Sequence, residues 1–392
     1  MNPLTPSITP PPAAAPPRTV VRRSTWLAGT RGELLLLGPA FKALGRTHHQ
    51  GLHCWLLHSG EQGMAAYQAL DFMGFVPDEA APLCHPADEP AVRLNLMLER
   101  AEAFVRQRKG THIVFTGFGP TAAGAAIYCH ARGCRGLWLR PPDPAGLIPR
   151  LRWEAGLERL IRACAPCVES WQIPAMPDWS EFQAEGAPLV EAEAPLEAEI
   201  AGLRAGAPLT LIAVLRREWG YLNDTTSLLA RAAAAWSAAM PDADWLVLSN
   251  LNARLEGPMR SLKARPENLL IAPPLPYPLY HRLLARARLV VTDSPLIAAE
   301  ALQRGVPVAT LGEIPWDAGE AAAGDETLAL HNDDFSLSAE RNFPIVPAYL
   351  QSETWVSEMR RILDSAPLAE APKRDAQILE RIERVIASFL EA

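Results

Sequence analysis

The chain has 392 residues, a formal net charge of −7, an isoelectric point near 5.8 and a mean hydropathy of zero. That length accommodates two α/β domains, each with its own core. The acidic balance argues against general nucleic-acid binding, and no apolar run approaches the roughly 18 residues that span a bilayer.

Residues 1–21 are rich in Pro and Ala and read as a disordered or polyproline II tail. They lack the charged-then-apolar pattern of a secretory leader, so a cytoplasmic location is the expectation. A strand then ends at Trp26-Leu27-Ala28, a turn covers 29–33 and a helix 34–44. A strand is expected over 52–57, a helix over 64–74, helical periodicity over 93–108 and a strand over 112–116. A small-residue helix at 120–131, a strand at 136–139 and a helix at 154–163 complete a domain over 22–172. Such alternation predicts a parallel sheet. Six cysteines in a chain this large do not suggest a disulfide framework, and the lone CxxC at Cys164 and Cys167 reads as two core thiols.

Residues 173–206, rich in Pro, Ala and Glu, read as a linker. A second domain over 207–365 opens with the strand LTLIAVL and a loop carrying Arg216 and Arg217. A helix at 226–239, strands at 245–249 and 268–271 and a helix at 279–287 follow. Within residues 366–392 an amphipathic helix is expected from about 375 to 391.

The most informative stretch is 289–312, LVVTDSPLIAAEALQRGVPVATLG. It reads as strand, loop, helix, strand. Asp293 or Ser294 caps the helix, Pro295 sits in its first turn where a missing N–H costs nothing, and Gly305 ends it. The free N–H groups and dipole of such a helix can receive an anion. Glu300, one and a half turns in, is placed to accept hydrogen bonds from ribose hydroxyls.

The wording of this stretch carries a resemblance. TDS with a Glu six residues after the Ser, then small residues and G-x-P-V, resembles the nucleotide-binding segment of the non-hydrolysing UDP-N-acetylglucosamine 2-epimerases. Gly29-Thr30-Arg31-Gly32-Glu33 resembles their opening GTRPE loop, and Gly60-Glu61-Gln62 and Gly74-Phe75-Val76-Pro77-Asp78 resemble their TGQH and FGIxPD stretches. Glu154 with Arg159-Leu160-Ile161 resembles PEExNRxLI, and Arg216-Arg217-Glu218 part of GHRREN. Asn268-Leu269-Leu270-Ile271 with Tyr277 and Tyr280 resembles the segment that holds uracil. The resemblance implies an α/β, GT-B architecture: two Rossmann-like domains facing a cleft, with the C-terminal helix packing back on the first. It implies UDP or another nucleotide sugar as ligand and no metal or other cofactor. Arg31 would lie near the diphosphate, Tyr280 on the base, Ser294 at phosphate and Glu300 at ribose, with Asp293 also in the nucleotide-sugar site.

The departures bear on chemistry. The family's GDT falls on Gly117-Phe118-Gly119, the Glu of EAGLR on Arg140, and the His of GHRREN on Leu215. Only the Glu at Glu154 survives, and the paired glycines after TDS are Pro295 and Leu296. Phe and Leu cannot transfer protons, which argues against 2-epimerisation. One remaining reading is a glycosyltransferase in which Arg31, Arg216 and Arg217 stabilise the leaving diphosphate. Its base would be Glu154, Asp143 or His112, and Arg140 would meet a phosphate or an acidic sugar. The others are a non-catalytic sugar-nucleotide-binding or scaffold protein and a divergent epimerase. The acceptor is unassigned, and a homodimer is left open.

Overall fold

The computed structural model describes residues 22–45, 52–58, 79–80, 90–108, 111–142, 152–173, 200, 202–214, 225–248, 265–272, 275, 277–292, 294–311, 342–345, 353–365 and 377–391. The Pro-rich tail, the helix expected over 64–74 and residues 174–199 of the linker lie outside them, as do Asp143, Arg216, Arg217 and Asp293. Of Glu154 the backbone alone is described.

The first half contains β1 (Arg22–Ala28), α1 (Arg31–Gly45), β2 (Leu52–His58), β3 (Glu79–Ala80), α2 (Pro90–Arg108), β4 (His112–Thr116), α3 (Pro120–Arg132), β5 (Arg135–Arg140), α4 (Arg152–Ala163) and β6 (Val168–Gln172). The second contains β7 (Leu209–Ala213), α5 (Thr225–Ala239), β8 (Asp244–Leu248), β9 (Leu269–Ala272), α6 (Tyr277–Arg286), β10 (Ala287–Thr292), α7 (Pro295–Gln303), β11 (Val308–Leu311), β12 (Asn342–Ile345), α8 (Glu353–Ser365) and the terminal α9 (Gln377–Glu391).

Each half forms its own six-stranded sheet, ordered β3-β2-β1-β4-β5-β6 and β12-β11-β10-β7-β8-β9. Every pairing is parallel. Counted from its own first strand, each sheet has the doubly wound order 3-2-1-4-5-6, whose topological switch point lies between its first and fourth strands. β4, β7, β8 and β10 are buried along nearly their whole length, as strands covered by helices on both faces must be. The small residues of α3 allow close packing on α2: a Cβ added at Gly124 would lie 3.3 Å from Met97 Cβ.

One apolar cluster joins the two halves. It includes Leu34 to Leu37 of α1, Tyr280 of α6, Ile297 of α7 and Ile378, Ile382, Ile386 and Phe389 of α9. The α9 positions form a helical stripe. Phe389 receives the ring of His112 edge-on, with centroids 5.3 Å apart, and the guanidinium of Arg135 at 5.0 Å from its own centroid. The terminal helix thus lies against α1 and the amino ends of β4 and β5.

Some boundaries differ from the sequence reading. α1 starts at Arg31 rather than Leu34, because Thr30 and Glu33 cap it. α6 starts at Tyr277, and Ala287 belongs to β10. β3, β6, β12 and α8 are additional elements. β6 is an edge strand with Glu169 and Ser170 exposed, so it lacks the apolar run that marks a buried strand. The CxxC cysteines also have neighbours that the sequence reading lacked. Cys129 and Cys134 flank the adjoining turn, and all four are unbridged. Burial, then the other thiols, pushes Cys129 up, and burial followed by Cys167 raises Cys164, so these are protonated, inert thiols.

Candidate functional site

The carboxyl ends of β1 and β10 lie at the two switch points, and the helices that follow them meet. On the second half, Thr292 Oγ1 donates to Ala213 O at 2.7 Å and accepts from Ser294 N at 3.0 Å, fixing the loop before α7. Ser294 is the N-cap, with φ −92° and ψ 119°. Its Oγ accepts from Ile297 N at 3.4 Å, and its carbonyl from Ala298 N at 3.0 Å. Pro295 supplies no N–H. The cap thus takes up a donor that an incoming anion would use. Gly305, at φ 75°, ends the helix in the left-handed region.

Glu300 projects from α7 into a buried polar group. Only 7% of it is exposed, and Tyr277 donates its hydroxyl to Glu300 Oε1 at 2.6 Å. His281 Nε2 lies 3.9 Å from the same oxygen, an electrostatic contact rather than a hydrogen bond. Arg304 Nη2 is 2.7 Å from His281 Nδ1. A guanidinium can only donate, so Nδ1 accepts and the ring proton sits on Nε2, facing the carboxylate. Burial pushes the Glu300 carboxyl up. His281, Tyr277 and Arg31 outweigh it, and the net pKa falls below the ordinary value. Burial and the Glu300 charge raise both the Tyr277 and the Tyr280 phenols well above theirs.

Arg31 comes from the first half. Its guanidinium carbon lies 5.2 Å from the Tyr277 ring centroid and 5.4 Å from that of Tyr280. Those rings stack on each other at 6.0 Å and 29°. Tyr280, the residue expected to meet a base, is 1% exposed, and its hydroxyl is buried and lies within hydrogen-bonding geometry of no group among the described residues.

The start of α1 is held by a capping box. Glu33 N donates to Thr30 Oγ1 at 3.2 Å, while Glu33 Oε2 accepts from Thr30 N at 3.1 Å and Gly29 N at 2.6 Å. A Cβ at Gly117, which has φ +89°, would overlap Glu33 Oε1, so this loop needs glycine twice over. Gly32 faces Leu296 from α7: a Cβ there would overlap Leu296 Cδ1. Leu296 is therefore seated on bare backbone at the junction of the two helix N-termini.

Just past the carboxyl end of β4, Phe118 is buried and edge-on to Trp138 of β5, with centroids 5.7 Å apart at 89°. Trp138 Nε1 donates to Gly117 O at 2.9 Å. Arg140 ends β5 with its Nε buried and, among the described residues, unpartnered. Burial, then the charge of Arg162, lowers its pKa. His112 is at the opposite, amino end of its strand and donates or accepts with Thr111 Oγ1 at 2.9 Å, remote from this edge.

The structure thus brings together Arg31, Tyr280, Ser294 and Glu300, and sets Arg140 apart on the first sheet. Glu33, His281 and Arg304 were missed as members of this region. Thr30-x-x-Glu33 is a capping-box signature, and Tyr277, Tyr280 and His281 share one face of α6 by their spacing of three and four, so signals existed for both. Among the described residues no group of three or more His, Cys, Asp or Glu is arranged to hold a metal ion, and no helix is long and apolar enough to cross a membrane.

Two parallel doubly wound sheets, their switch points facing each other and a C-terminal helix returning to the first, define the GT-B fold. Solved structures share it along nearly the whole chain. The UDP-GlcNAc 2-epimerase from Neisseria meningitidis bound to UDP-GlcNAc matches with a TM-score of 0.69 at 15% identity, over 93% of this chain and 100% of that one. The S. aureus MnaA–UDP co-structure matches at 0.66 and 13% identity, over 94% and 97%. The spinosyn rhamnosyltransferase SpnG matches at 0.51 and 13% identity, over 95% and 96%. Neither a family model nor a curated protein sequence matches the chain.

Proposed function

We propose that the chain binds a nucleotide sugar, not for epimerisation but as the donor for glycosyl transfer, in the cleft between its two sheets. A UDP-linked donor is the reading supported by structural neighbours whose solved forms hold UDP-GlcNAc or UDP. The observation that carries the proposal is Glu300, a buried carboxylate kept ionised at the second switch point with Arg31 reaching it from the first half. Its described contacts fall on Oε1. A carboxylate offers about four acceptor positions, so capacity remains for a ribose diol. Arg31, with Arg216 and Arg217, would stabilise the departing diphosphate without a metal, and Glu154 or Asp143 would serve as base.

Calorimetric titration with UDP tests the binding. Glu300→Ala should weaken it by about 1.5–3 kcal/mol, the range for hydrogen bonds to a charged group. Unchanged affinity in a folded variant would make Glu300 a purely structural carboxylate. Incubation with UDP-sugars and candidate acceptors, followed by product separation, tests the chemistry: transferred sugar with free UDP is the expected result.

A second reading, a sugar-nucleotide-binding or scaffold protein without turnover, is favoured by one observation. Leu296 and the Ser294 cap occupy the helix junction where a diphosphate would find its donors. Saturable UDP binding with no product from any donor–acceptor pair would select it.

A further inference from the structure

We propose that the carboxyl end of β5 is a receptor for an anionic group, a carboxylate or phosphate on the acceptor, built on Arg140 with Arg162 beside it. This rests on the nucleotide-sugar reading for its place on the acceptor side of the cleft. The placement follows from topology. Arg140 is the last residue of β5, at the sheet edge where parallel α/β folds bind their ligands. Trp138 lies two residues earlier, so Arg140 and Trp138 share a face of the sheet. The guanidinium of Arg162, from α4, lies 5.6 Å from the Trp138 ring centroid on that same face.

The two arginines have only one described carboxylate between them. Glu158 Oε1 accepts from Arg162 Nε at 3.0 Å and Nη2 at 2.6 Å, and Glu158 is mostly buried. That pairing uses the fork of Arg162 and leaves Arg140 without an ion pair among the described residues. Its Nε is shielded from water and, among the described residues, donates to nothing. A solvated surface arginine does not bury its Nε in this way, and a buried unpaired donor is a cost the fold bears continuously. Next to it, Gln172 Nε2 donates to Pro141 O and to Arg140 O, the latter at 3.4 Å, which fixes the strand end that carries Arg140. An arriving carboxylate or phosphate would satisfy the orphan donor, accept a planar two-pronged hydrogen bond and relieve the repulsion from Arg162. Neutral sugars would supply none of these except a weaker acceptor.

The test is calorimetric titration of the full chain at low salt with glucuronate, inorganic phosphate and, as neutral control, glucose, beside a UDP titration. Glucuronate or phosphate should bind saturably and glucose should not; whichever anion binds more tightly identifies the carboxylate or the phosphate as the group received. Arg140→Leu should weaken anion binding about tenfold or more, and Arg140→Lys, which keeps the charge and loses the fork, should fall between. Without ligand, Arg140→Leu should melt no lower than the natural chain, because a repelled, unpaired charge has been removed. Anion binding unaffected by Arg140→Leu and Arg140→Lys would overturn the proposal, as would glucose binding as well as glucuronate. Should Arg140→Leu not fold, undiminished anion affinity in Arg140→Lys is the overturning result. If UDP binds and neither anion does, this inference falls and the nucleotide reading stands; anion binding without UDP binding gives the reverse.

Discussion

A carboxylate as buried as Glu300 stays ionised only when the groups around it offset its lost hydration. Here the Tyr277 hydroxyl donates to it at 2.6 Å, and His281 and Arg31 add favourable electrostatics. Tyr277→Phe should therefore cost about 1.5–3 kcal/mol in urea denaturation at pH 7, the range for a hydrogen bond to a charged group. The sign of the pH dependence follows from the lowered folded pKa. Stability from this ionisation is fully present above the ordinary carboxyl value of 4.5 and is lost as pH falls through the lower folded value. The gap between Tyr277→Phe and the natural chain should shrink over that acid window; a pH-independent gap would refute a charge-assisted bond. At this scale the sequence was legible wherever the determinant was local. The Ser294 cap, Pro295 at the helix start and Gly305 at its end follow from neighbours in the chain. Tyr277 and Glu300 are 23 residues apart, so their bond depends on how α6 and α7 dock.

Between elements, α1 meets α7 through one close contact. Gly32 has no side chain to give way, and Leu296 occupies the space a Cβ would need. Gly32→Ala forces Leu296 to another rotamer or parts the helices, and overpacking of this kind costs about 1–3 kcal/mol. Leu296→Ala introduced alongside should recover part of that loss, with a coupling of about 0.5–3 kcal/mol in a double-mutant cycle. Additive effects would mean that the two side-chain positions do not touch in solution. The bulk of Leu296 beside this junction was legible as a departure from paired glycines, but its seat on Gly32 was not, since it joins segments more than 250 residues apart. Edge elements escaped for another reason. β6 buries few side chains, and a strand that meets water on one side shows no apolar run. In α8 the spacing of Val356, Met359 and Leu363 is helical and all three face the second core, so the signal was present though short.

For the whole molecule, the alternation of strand and helix made two doubly wound sheets legible, because each βα unit is local and handedness restricts how such units assemble. Chemistry is a harder inference, since a shared fold hosts many reactions and function resides in the site. Exchange at C2 of a sugar nucleotide separates the proposals at that level. Removing a proton from a weakly acidic carbon requires a positioned base, and each positioned acid or base typically contributes about 10²–10⁴-fold. Two positions that carry acids in the resembling family hold Phe118 and Arg140 here. Phe118 is packed edge-on to Trp138 and cannot exchange protons, and Arg140 keeps its proton at neutral pH even with its pKa lowered by burial and Arg162. Glu154 would remain as a single carboxylate, sufficient for the base of a transferase but without a partner acid. The expected outcome in deuterated water is that proton NMR of UDP-N-acetylglucosamine with this protein shows neither deuterium at C2 nor the manno epimer. Deuterium incorporation that disappears in Glu154→Gln would restore an epimerase with relocated acids and displace glycosyl transfer as the reading of this cleft.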